Sequence, residues 1–211
     1  MKQPRVTSLV NLVQTLSIIV LTALLFSCSV KKVDENKDYG QRVIRFQPVP
    51  QALENKLWLE QFDFAFTASH LAHALAQLSN EAMLIQTELT AQGINLAAMT
   101  FAGVPLAQVN WQSDSQKVYT DMAAATHFDG QQVIHDLQLI NWPTTTVNTA
   151  LLPGFSFNES FVDGMRIRRF YQDEQVIIII RYQEQVVSFE QKTIGYRLQI
   201  KRLTDTELTA Q

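Results

Sequence analysis

The chain has 211 residues, 46% hydrophobic and 18% charged, a balance that suits one globular domain with a full core and excludes a disordered chain. Its net charge is −3, and nothing in it favours nucleic acid, which calls for a basic surface. A single cysteine, Cys28, excludes an internal disulfide and a cysteine metal cluster.

Lys2 and Arg5 open the chain, and an apolar stretch, Leu16 to Phe26 (LSIIVLTALLF), follows. These 11 residues span about 16 Å as a helix, roughly half the hydrocarbon core of a bilayer. That is signal-peptide length. The competing reading, an uncleaved anchor helix, needs the stretch extended back to Val6 across Asn11 and Gln14. The stretch ends in Leu25-Phe26-Ser27-Cys28, which resembles the lipobox of bacterial lipoproteins, with Phe26 bulkier than the usual occupant. The resemblance implies a diacylglyceryl thioether on the Cys28 sulfur, cleavage before Cys28 and acylation of the new amine. Two or more acyl chains anchor stably, at about 0.8 kcal/mol per buried CH₂. In enterobacterial lipoproteins an Asp after the cysteine resembles an inner-membrane retention signal. Ser29 stands there instead, which implies the outer membrane, facing the periplasm.

The expected division is therefore a signal peptide over 1–27, a lipidated N-terminus and tether over 28–42, and a β-rich domain over 43–211. Taking Lys2 and Arg5 from the 17 bases leaves 15 against 20 acids after the signal, so the remainder is acidic. Ser29 to Arg42 is polar and without apolar period, and reaches at most about 50 Å when extended.

Leu57 to Thr67 nearly alternates apolar and polar residues, with a phase slip at Glu60-Gln61 that suggests a bulged strand. Ser69 to Thr90 fits a helix by composition and two strands turning at Asn80 by alternation, and both stay open. Gln92-Gly93 and Ala102-Gly103 with Pro105 are turn signals, and Leu106–Trp111 and Lys117–Ala123 are short strands. Asp129 to Trp142 is the best helix, capped by Asp129 and stopped by Pro143, with Val133, Leu137 and Ile140 on one face. Thr145 to Leu152 forms a second short helix. Phe155–Phe161, Met165–Tyr171, Gln175–Tyr182, Val186–Gln191 and Tyr196–Leu203 read as strands, with Asp163-Gly164 a hairpin signal. The branched run Val176 to Ile180 suits a strand covered on both faces.

The segment Asp136-Leu137-Gln138-Leu139-Ile140-Asn141-Trp142-Pro143 resembles the "DLQLxxWP" segment of an uncharacterised family of proteobacterial lipoproteins, domain-of-unknown-function family 3261. Arg181-Tyr182 is similar to the end of its "I-RY" strand, and Gly195 to Ile200 to its "YGYRLxI", with Ile194 where a Tyr is common. The resemblance spans roughly residues 57–203. It implies an α+β, mainly β fold like the lipoprotein carriers LolA and LolB: a strongly curved antiparallel sheet, an unclosed half-barrel, with one or two helices on its concave face. Val133, Leu137, Ile140 and Trp142 would then face the cavity or serve as its lid, or be ordinary core. Genes of this family commonly sit in clusters for aryl polyene pigments, so the implied partner is an acyl or polyene lipid held in an apolar cavity. The alternative is an accessory lipoprotein that scaffolds an envelope assembly through protein contacts.

Enzymatic signals are weak. His70 and His73 form H-x-x-H without an evident third ligand, and His127 and His135 stand alone. Gly154-Phe155-Ser156-Phe157-Asn158 lacks the second glycine of a nucleophile elbow. Asp63, Glu159, Asp163 and Asp173 read as solvated. Arg166, Arg168, Arg169, Lys201 and Arg202 read as a solvated sheet face or a basic patch. The expectation is a non-enzymatic protein with no cofactor and no metal.

Overall fold

The computed structural model describes residues 42–67, 82–122 and 129–208. Cys28, the signal and tether segments, His70, His73, Asn80 and His127 lie outside the described residues. The strands are β1 (Lys56–Phe66), β2 (Met83–Thr90), β3 (Gly93–Thr100), β4 (Pro105–Gln112) and β5 (Lys117–Met122). Two helices follow, α1 (Gly130–Asn141) and α2 (Thr144–Ala150). Then come β6 (Phe155–Val162), β7 (Met165–Gln172), β8 (Gln175–Gln183), β9 (Val186–Gln191) and β10 (Tyr196–Glu207).

All of these strands join one antiparallel sheet, in the order β5-β4-β3-β2-β1-β10-β9-β8-β7-β6. Strands consecutive in the chain make every pairing except β1 with β10, which joins the two halves of the chain. Strands β5 and β6 end the order without pairing to each other, so the sheet is unclosed. It is nevertheless strongly curled, because α1 touches both flanks. A Cβ on Gly130 would collide with Thr120 Oγ1 on β5 and come within 3.2 Å of Val109 on β4. On the opposite flank Arg168 of β7 and Tyr182 of β8 reach the Leu139 and Ile140 carbonyls. Strands β5 and β7 would stand about 38 Å apart in a flat sheet, and a helix is only about 10–12 Å thick. The expected α+β, mainly β half-barrel with helices on its inner face is the observed one.

Asp129 caps α1 by accepting from the Gln131 N–H at 2.9 Å, and Pro143 both stops α1 and precedes α2. The tight Asp163-Gly164 turn has φ of 51° and 79°, the left-handed pair a two-residue hairpin requires. In β8 the inward Ile178 and Ile180 are fully buried, and the opposite-facing Ile177 and Ile179 are only 8% and 9% exposed. Within the ambiguous Ser69–Thr90 segment, Met83–Thr90 is a strand whose Met83, Ile85, Thr87 and Leu89 face the core.

One expectation is corrected, and one strand is added. Strand β1 has no phase slip, for its register with β2 runs unshifted from Lys56↔Leu89 to Phe62↔Met83. The extra residue sits in β10: Leu59 faces Thr204 and Glu60 faces Arg202, leaving Leu203 as the bulge. The apparent slip arose because a carboxylate, Glu60, occupies an inward position. The turn signals around Gly93 also concealed β3. Ile94, Leu96 and Ala98 alternate inward there, but small residues on the other face dilute the pattern.

Candidate functional site

The inner face of the sheet is the candidate site, and α1 lies in it held by polar clamps. Midway along α1, Asp136 accepts from Gln132 Nε2 at 2.7 Å and from the Tyr196 hydroxyl of β10. His135 is not alone. Its Nδ1 lies 3.2 Å from Asp136 Oδ1, and its Nε2 accepts the Val43 N–H at 3.0 Å, which assigns the ring proton to Nδ1. Gln138 exchanges two hydrogen bonds with the backbone of Gln47, and the Trp142 indole donates to Pro48 O at 3.1 Å. Through these bonds the helix fastens the segment 43–48, whose Val43 and Ile44 are almost fully buried.

The C-terminal end of α1 is held from β7 and β8. Arg168, 2% exposed, donates to Leu139 O at 2.8 Å and to Glu159 Oε2 at 2.7 Å. Thr144 donates to the other Glu159 oxygen at 2.9 Å. The Tyr182 hydroxyl donates to Ile140 O at 2.5 Å. A guanidinium against the last carbonyls of a helix satisfies orphan acceptors and complements the helix dipole. Burial of Tyr182 pushes its phenol up to about 12, so it stays a donor. Burial likewise holds the Tyr196 phenol well above its usual range.

A second ion pair anchors Asn141. Arg202 of β10 donates to Glu60 Oε1 at 2.8 and 3.1 Å and to Asn141 Oδ1 at 3.1 Å, with its guanidinium 3.8 Å from the centre of the Trp58 ring. Burial raises the Glu60 carboxyl above its ordinary value, and Arg202 offsets only part of that. The folded chain therefore keeps this proton to higher pH than the unfolded chain. The stability it contributes is present below the ordinary carboxylate range and is lost as pH rises through the raised value. Glu60→Gln is expected to flatten that limb in urea unfolding across a pH series; an unchanged slope would refute the assignment.

The five basic residues do not form a patch, because strand alternation divides them. Arg168 and Arg202 face inward in ion pairs, and Arg166 stacks 3.6 Å from the centre of the Tyr182 ring. Arg169 bonds Ser160 on the other face, and Lys201 is exposed. Glu159 is likewise no solvated acid but the partner of Arg168, whereas Asp63, Asp163 and Asp173 are exposed. Leu137, Ile140 and Trp142 are buried in the core, and Val133 packs half-buried against it.

Three aromatic residues complete the inner face. Phe62, Phe64 and Phe66 of β1 lie in a ladder, with ring centroids 6.2 and 6.4 Å apart, all half-buried. They rest on Ile200, Leu198 and Tyr196 of β10. Among the described residues no group of His, Cys, Asp or Glu has the arrangement to hold a metal, and no helix is long and apolar enough to cross a membrane.

An unclosed antiparallel sheet curled around a polar-clamped helix, with an aromatic ladder on its inner wall, defines the class: a half-barrel with a helix in its trough. The chain belongs to the family described as "Protein of unknown function (DUF3261)", whose model matches residues 67–204. Among solved structures, a "putative outer membrane lipoprotein-sorting protein domain" from Vibrio parahaemolyticus aligns at 7% identity. It covers 76% of this chain and 88% of its own, with a TM-score of 0.31. No curated protein matches the sequence.

Proposed function

We propose that this chain is a non-enzymatic, acylated lipoprotein of the outer membrane that binds or shuttles an acyl or aryl polyene lipid. The observation that carries the reading is the half-buried ladder Phe62-Phe64-Phe66 on the inner wall of an unclosed sheet. A row of aromatic rings offers a slender hydrocarbon or conjugated chain continuous apolar contact without fixed polar registration. The driving force is about 25 cal/mol per Å² of chain removed from water. Acylation at Cys28 would confine the protein to the membrane where such a cargo resides.

The test is titration of the full chain with cis-parinaric acid, a fatty acid that is itself a conjugated polyene. Saturable fluorescence enhancement is expected, and Phe64→Ala is expected to weaken it about tenfold or more while circular dichroism stays unchanged. A probe that never saturates, together with no lipid or pigment in mass spectra of protein purified from its native host, would overturn the reading. A stable protein partner under the same conditions would favour the scaffold alternative.

A further inference from the structure

The outer face of β2 to β5 carries a groove of about 410 Å³ that the trough does not use. It is built from two transverse rows set by strand register. In one row Gln86, Ala97, Gln108 and Asp121 face one another in turn across the four strands. In the next, Glu88, Asn95, Asn110 and Tyr119 do the same. Ala97 is the small member of its row, and the groove passes over it.

The polar groups in these rows are ordered and partly unspent. Asn110 donates to Asn95 Oδ1, and Asn95 donates to Glu88 Oε2 at 3.3 Å, which fixes both amide orientations and leaves the Asn110 oxygen without a partner among the described residues. Gln86, Gln108 and Asp121 have no side-chain hydrogen bond or ion pair among the described residues. Tyr119 stands 52% exposed at the border.

The composition of this surface is unusual for a solvated sheet. Residues 89–113 contain no Asp, Glu, Lys or Arg, in a chain that is 18% charged. Solubility is supplied here by amides instead. The groove lining holds two carboxylates, Glu88 and Asp121, and no cation. Phosphorylated or sulfated ligands are therefore repelled. Primary amides and a carboxylate each present adjacent polar atoms that match neighbouring hydroxyls. A flat phenol ring packs against the C–H face of a pyranose while its hydroxyl stays wet.

We propose that this groove binds a neutral glycan chain, with Gln86, Gln108 and Asp121 bonding hydroxyls and Tyr119 stacking on a sugar ring. The full chain in detergent would be titrated calorimetrically with neutral tetrasaccharides of N-acetylglucosamine, glucose and mannose, and with a sulfated tetrasaccharide and tetralysine. Saturable binding of at least one neutral tetrasaccharide is expected, with none of the sulfated one. Tyr119→Ala and Gln108→Ala, both at exposed positions, are each expected to weaken it about tenfold while parinaric acid titrations stay as in the parent. Failure of all three neutral probes, an unchanged affinity in Tyr119→Ala, or saturation by tetralysine in their place would overturn the proposal.

Discussion

An Arg168→Ala chain is expected to lose about 3–5 kcal/mol of folding stability, the range for breaking a buried charge pair from one side. This guanidinium serves four acceptors: a Glu159 oxygen, the Leu139 carbonyl and, each at 3.4 Å, the Thr144 hydroxyl and the Ile140 carbonyl, the last shared with Tyr182. Truncation leaves a carboxylate and the last turn of α1 facing an apolar surround that includes Phe157 and Phe170. Arg168→Lys keeps the charge but offers one compact ammonium in place of a planar fork, so it recovers only part of the loss. The pH dependence follows from Glu159. Burial pushes its carboxyl up, but the hydrogen bonds from Arg168 and Thr144 outweigh that and hold it below its ordinary value. The stability contributed by its ionised form is present above the ordinary carboxylate range and is lost as pH falls through the lowered value. Arg168→Ala should therefore flatten the acid limb of a urea-unfolding series. A loss below about 1 kcal/mol, the scale of an exposed ion pair, would show that the clamp does not hold the helix.

Cys28→Ser is expected to abolish incorporation of labelled palmitate entirely and, because cleavage follows thioether formation, to leave the leader on the chain, seen as a higher mass than that of the parent. Thioether formation requires a thiol, and Cys28 is the only one in the sequence. If palmitate uptake and mass both stay as in the parent, Cys28 is not the acylated residue and the lipoprotein reading fails.

Much of the fold was legible because its strands obey period two and its turns use Asp-Gly, Gly and Pro. The helix was legible from its cap at Asp129 and its stop at Pro143. What the sequence concealed were the places where polar residues point inward. Glu60 interrupted an apolar alternation and so imitated a slip in β1, although the irregularity belongs to Leu203 in the partner strand. Arg168 and Glu159 look like surface charges in one dimension. Only the pairing Glu159↔Arg168, with a helix end laid over it, makes them a buried clamp. His135 seemed isolated because one partner, Val43, is 92 positions away, and the contact with its neighbour Asp136 depends on the helix being buried. Phe62, Phe64 and Phe66 were visible as strand residues, but nothing local distinguishes an aromatic that stays half-exposed from one sealed in the core.

Since β5 and β6 do not pair, no closed ladder fixes the girth of the trough; α1 spans it instead, packed on β4 and β5 at Gly130 and bonded to β7 and β8 through Arg168 and Tyr182. In a closed barrel, strand number and shear set the radius, and widening the bore means breaking a ladder. Here a few degrees of added or lost twist at each of the nine strand junctions would splay or draw in the flanks with every ladder intact. The width of the trough is therefore set by the contacts of α1 with its two flanks rather than by strand number and shear.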